Sequence, residues 1–190
     1  KVRKDYGIEV VNAYGQTETS GIVMCEPLGS YLRDRMAPPL PGVRQSFRDA
    51  GQGLWELGIH TPTPFCGYLG QDRPQTDPIW TGDLVRREAD GIAFAGRVGH
   101  AMKTRDGAGW LLPERIQSRV RSVLPGAEVV ARPDRLHEHL LVMVDADPLP
   151  PDLAERMVAD LGPAYAAARF QRARVERTAA GKLARMEPLP

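Results

Sequence analysis

The 190-residue chain is long enough for one large domain or two small ones, and its 42% apolar content is ordinary for a globular fold. Its 25 basic and 24 acidic residues leave a formal charge of +1, which supplies no global field for nucleic acid or an anionic membrane. No apolar run approaches the ~18 residues of a membrane span and no signal-peptide pattern is present, so a cytoplasmic protein is expected.

Residues 7–13 (GIEVVNA) are predicted to form a buried strand, because a β-branched core breaks into the polar run YGQTE. Pro38, Pro39, Pro41 and Gly42 then punctuate the chain, since proline fixes φ and removes a donor. A short strand is expected at 53–59 (GLWELGI), followed by a loop-rich stretch around Tyr68. Residues 84–96 (LVRREADGIAFAG) have the form of a β-hairpin turning at Asp90-Gly91. The first half of the chain is therefore read as mainly β.

After Gly96 the pattern changes. Residues 113–124 place Ile116, Val120, Val123 and Leu124 on one helical face, with Pro113 suited to the first turn. Strands are expected at 127–131, 140–145 and 170–175, and a helix at 151–161 with Leu153, Met157 and Leu161 inward. The fold class is α+β: a mostly antiparallel β region over 1–96 and a small α+β domain over 97–190.

Four short segments carry chemistry. Tyr14-Gly15-Gln16-Thr17-Glu18 offers a glycine where backbone can approach a ligand, a hydroxyl, and a carboxylate suited to a hard cation. Trp80-Thr81-Gly82-Asp83-Leu84 is read as closing a loop before the hairpin, with a carboxylate able to accept from a sugar diol. Arg97 ends the hairpin, where its guanidinium could meet a phosphate or a neighbouring carboxylate. Near the C-terminus, Arg177-Thr-Ala-Ala-Gly-Lys182 suggests a glycine turn with a lysine at its tip. Each segment alone also fits an ordinary turn or exposed side chain. Cys25 and Cys66 lack CxxC or metal spacing and are expected to be reduced and structural, Cys66 as a small core residue. His60, His100, His137 and His139 share no metal spacing, and Trp55 and Trp110 read as packing residues.

In order, the series YGQTE, GLWELGI, GYLGQ, WTGDL, DGIAFAGR, Lys103 and RTAAGKLAR resembles the adenylate-forming enzyme superfamily of acyl- and aryl-CoA synthetases, luciferases and peptide-synthetase adenylation domains. The resemblance runs from Tyr6 to Arg185. It implies that residues 1–96 are the last β subdomain of a large AMP-binding domain, whose phosphate-gripping loop is missing here, and that 97–190 are a mobile lid. The lid hinge falls at Gly99, where the family has an acidic residue or lysine. Tyr14 and Gly15 would then lie at the adenine and Thr17 at the α-phosphate, with Glu18 as the Mg²⁺ ligand. Asp83 and Arg97 would meet the ribose, and Lys182 would bridge the substrate carboxylate and the α-phosphate.

The implied activity is an ATP-dependent carboxylic acid–CoA ligase, expected to be inactive as this segment alone. Acyl transfer to a carrier-protein phosphopantetheine and a truncated non-catalytic binding protein are the alternatives. The stretch KTRDGAGWLLPERIQ is two residues longer than the family pattern, which leaves the thiol acceptor open.

Overall fold

A computed structural model of the chain describes residues 5–30, 35–70, 77–104, 109–134, 139–179 and 183–188. It divides into two compact units, residues 1–98 and 99–190.

Apart from one 3₁₀ turn, the named elements of the first unit are all strands. Strands β1 (Ala13–Gln16) and β2 (Gly21–Cys25) pair antiparallel around a single 3₁₀ turn, Thr17–Thr19. Strands β3 (Arg44–Gly51), β4 (Leu54–His60), β5 (Ile79–Glu88) and β6 (Gly91–Arg97) form an antiparallel sheet in chain order. Alternation along β4 turns Leu57 and Ile59 onto a core shared with Val23, Met24, Val85 and Ile92. The expected β5–β6 hairpin forms, but its turn is Ala89-Asp90, one residue earlier than Asp90-Gly91, because Glu88 pairs with Gly91 and draws that glycine into β6.

The second unit mixes helix and sheet. A short ladder, β7 (Met102–Lys103) with β8 (Trp110–Leu111), precedes helix α1 (Pro113–Val123). Strands β9 (Glu128–Asp134) and β10 (His139–Asp145) pair antiparallel. Helix α2 (Leu153–Leu161) then crosses over to β11 (Ala168–Arg177), which lies parallel to β10, and β12 (Leu183–Pro188) closes the sheet antiparallel. Ile116 and Val120 of α1 and Leu153 and Met157 of α2 bury against Leu140, Val142 and Val144. The i, i+4 spacing sets one stripe of each helix on the period-2 face of β10. With antiparallel pairing dominant and two α-helices among the named elements, the fold is the α+β class that the sequence implies.

The expectations for residues 7–13 and for WTGDL fail in the first unit. Residues 7–12 form no strand, and Ile8 and Val10 are each 56% exposed. Strand propensity becomes a strand only where a ladder partner exists, and pairing here begins at Ala13, so Tyr14 lies in a strand and not after one. The WTGDL segment closes no loop: it lies inside β5 as a bulge, where register with β4 jumps between Glu56 and Gly58. Gly82 sits in that bulge at φ 73°, a conformation that a side chain would strain.

Candidate functional site

The bulge in β5 sets the site. The Thr81 hydroxyl donates to the Leu57 carbonyl at 2.9 Å and accepts the Asp83 N–H at 3.1 Å, while the Gly82 carbonyl takes the Val98 N–H at 2.8 Å. These bonds turn the Asp83 carboxylate inward, leaving its side chain 2% exposed. Arg97 stands opposite it on β6 and donates from Nε to Oδ1 at 2.8 Å. Tyr14 of β1 donates its hydroxyl to Oδ2 at 2.6 Å. Three segments separated in sequence thus meet at one buried carboxylate, neutralised by a guanidinium and filled on both oxygens. Burial first, then the bond to Asp83, push the Tyr14 phenol above its ordinary value of 10.0, so it remains a donor at neutral pH.

The Thr17–Thr19 turn follows directly from β1. Buried Thr19 accepts the Gln16 N–H at 3.0 Å, and its hydroxyl lies 2.9 Å from the carbonyls of both Gln16 and Gly21. Ser20 ends the turn at φ 55°. Gly15 is tightly placed: a Cβ there would come within 2.0 Å of the Gly21 carbonyl oxygen. The close backbone approach at this glycine is therefore made by the chain's own β2. Thr17 is exposed and Glu18 half-buried, and Tyr68 donates its hydroxyl to Glu18 Oε1. The Phe65 N–H bonds the Glu18 carbonyl at 3.2 Å, and the Phe65 ring meets Tyr68 edge-on. Among the described residues no three His, Cys, Asp or Glu side chains converge as a metal cluster. A cation at Glu18 would complete its shell with phosphate and water oxygens, which is the usual arrangement for Mg²⁺, so the donor set fits that ion.

Of the residues singled out from the sequence, Tyr14, Asp83 and Arg97 are in direct contact, with Thr17 and Glu18 on the turn that continues β1. Lys182 and Gly181 lie outside the described residues, as do 105–108 of the long stretch after Lys103. Lys103 itself stacks over the Trp110 ring at 5.1 Å. Cys66 is exposed and not a core residue, because its loop packs through the rings of Phe65 and Tyr68; both cysteines are free thiols. His60 joins no metal group: its Nε2 lies 2.8 Å from Ser46 Oγ, and its Nδ1 lies 2.5 Å from Asp77 Oδ1 but out of line for a hydrogen bond. Sequence reading missed Tyr68 and Thr81. Thr81 adjoins a glycine that invites a bulge, which is a usable signal; Tyr68 reaches Glu18 across 50 residues and leaves none.

No protein-family model matches the chain. Long-chain-fatty-acid–CoA ligase 6 of Rattus norvegicus and its counterpart in Mus musculus are each 27% identical to it over 162 residues. The match takes in 77% of this chain, which spans only 23% of those proteins' length. An anthranilate CoA ligase in complex with anthranoyl-AMP superposes with TM-score 0.68 at 19% identity, over 96% of this chain and 38% of that one. The fold is that of the C-terminal portion of adenylate-forming ligases. A benzoate CoA ligase from Burkholderia xenovorans LB400 gives 0.63 at 20% identity over 96% of this chain and 40% of its own. An amide bond synthetase from Marinactinospora thermotolerans gives 0.68 at 22%, over 92% and 40%. The curated relatives and solved neighbours that this chain resembles are ligases, and it matches only part of the length of each.

Proposed function

We propose that this chain is the C-terminal part of an ATP-dependent carboxylic acid–CoA ligase. The observation that supports it most is the meeting of Tyr14, Asp83 and Arg97, three residues from three separate family motifs, around one carboxylate. In this reading the substrate carboxylate oxygen attacks the α-phosphorus of ATP and pyrophosphate leaves. A thiol then attacks the acyl carbon and AMP leaves. Tyr14 and Gly15 lie along the adenosine, Asp83 and Arg97 hold the ribose, and Thr17 meets the α-phosphate. Glu18 would hold Mg²⁺, which when bound offsets charge between two anions being pressed together. Residues 99–190, two residues shorter than the expected 97–190 because Arg97 belongs to β6, act as a lid that turns about Gly99, bringing Lys182 to the α-phosphate for the first step and removing it for the second.

The test is Lys182→Ala in the complete enzyme, with the half-reactions assayed separately. Losing that cation costs adenylation about 3–4 kcal/mol, a factor of about 10²–10³ in rate, and leaves thioester formation from preformed acyl-adenylate nearly unchanged. Equal damage to both steps, or damage to neither, contradicts the assignment. The 190-residue chain alone should give no pyrophosphate exchange with any carboxylic acid, because the loop that cradles the β- and γ-phosphates is not in its sequence.

The acceptor is the finer question. Solved neighbours include fatty acyl-adenylate ligases and an amide bond synthetase beside the CoA ligases. Carrier-protein phosphopantetheine is accordingly the second acceptor to assay.

A further inference from the structure

The carboxylate assigned above to the ribose is closed in this structure. The Asp83 side chain is 2% exposed, and its two oxygens are taken by Arg97 Nε at 2.8 Å and the Tyr14 hydroxyl at 2.6 Å. With the side chain buried to this degree, a diol reaches it only when one of these partners moves aside.

The two partners are not equivalent. Arg97 carries the charge that neutralises a buried anion, so its departure would strand Asp83 in a low-dielectric site. It is also fixed opposite Asp83 by the β5–β6 ladder. Tyr14 is neutral, and its strand belongs to the separate β1–β2 ladder and not to the β3–β6 sheet. A ribose hydroxyl can replace a phenol donor for donor, so the carboxylate keeps its full set of hydrogen bonds throughout the exchange. The Asp83 backbone, pinned through Thr81 and Gly82, need not move.

We propose that Tyr14 is a displaceable latch on Asp83, and that nucleotide binding exchanges its phenol for a ribose hydroxyl. This rests on the ribose reading of Asp83. The latch makes Tyr14 a specificity-determining residue: only a ligand that presents a ribose hydroxyl to Asp83 Oδ2 repays its opening, and the unliganded site stays satisfied. Part of the intrinsic affinity is spent on opening, as in any equilibrium where the competent state is the minor one.

The experiment compares the wild-type chain with Tyr14→Phe, measuring thermal stability and the affinities for 5′-AMP and 2′,3′-dideoxy-AMP by amide chemical shifts at residues 82, 83 and 97. The phenylalanine variant should melt lower, because Asp83 Oδ2 loses its donor, yet bind AMP about 5–10-fold tighter with dideoxy-AMP unchanged. A merely structural tyrosine would lower stability and AMP affinity together. If both proteins prefer AMP over dideoxy-AMP but do so equally, the latch is overturned and the ribose reading stands. If neither distinguishes the two ligands, the ribose reading falls and takes the latch with it. A second measurement needs no variant: with ¹³Cζ-labelled tyrosine, the Tyr14 resonance should move toward the exposed-phenol position as AMP is added. A resonance that stays fixed while residues 82, 83 and 97 shift overturns the latch.

Discussion

The two units solve the problem of burial in opposite ways. Every buried polar or charged residue among those described, Thr19, Glu26, Glu56, Thr81 and Asp83, lies in residues 1–98. Each has a partner: the Asn12 N–H on Glu26, Arg48 on Glu56, Arg97 and Tyr14 on Asp83. The described core of residues 99–190 is apolar, with Tyr165 its one polar tip, bonded to the Leu112 N–H. The contrast teaches where each unit is vulnerable. A buried charge is tolerated only while its partners stay in place, so the first unit depends on a few specific bonds. The second depends on filled volume.

The largest expected effect breaks the second unit alone. Met157→Ala opens a cavity beneath α2 and should cost about 3–4 kcal/mol, read as early loss of amide protection in β10 and α1 while β4 and β5 keep theirs. Simultaneous loss in both units would show that they do not unfold separately. Next, Gly15→Ala drives a Cβ into the Gly21 carbonyl, an overpacking cost of about 2–3 kcal/mol that should appear in the first unit only. Asp83→Asn keeps an acceptor but removes the charge facing Arg97, so about 1–2 kcal/mol of stability should go from the first unit. A loss of the same size in the second unit would blur the distinction.

The smallest effect is confined to alkaline pH. Burial raises the phenols of Tyr14 in one unit and Tyr165 in the other. A raised group contributes stability that is full below the unfolded value of 10.0 and is lost as pH climbs toward the folded value, because the unfolded chain then holds fewer protons. Each unit should therefore weaken above about pH 10. Tyr14→Phe should flatten that slope in the first unit and Tyr165→Phe in the second. Flattening in the wrong unit would contradict the burial argument.

The helices were legible because Ile116 and Val120, and Leu153 and Met157, repeat at helical spacing, and β10 because its apolar run admits little else. The membership of the Asp83 cluster was legible too: Tyr14, Asp83 and Arg97 stand in ordered motifs, and they meet. Its geometry was not. A bulge at Gly82 leaves no periodic trace, so Asp83 read as the edge of a loop when it is a buried strand residue. The apolar alternation of Ile8 and Val10 promised a strand that found no partner. Hairpin β1–β2 was hidden because Gly21–Cys25 carries no turn signal of the usual type and is joined to β1 by a 3₁₀ turn.

The claim that residues 1–98 carry a nucleotide site is tested most directly by titrating 5′-AMP into the ¹⁵N-labelled 190-residue chain and mapping the amides that shift. A single cluster at residues 14–19, 82–83 and 97 is expected, abolished by Asp83→Asn. Shifts elsewhere, or a cluster that survives that substitution, would contradict it.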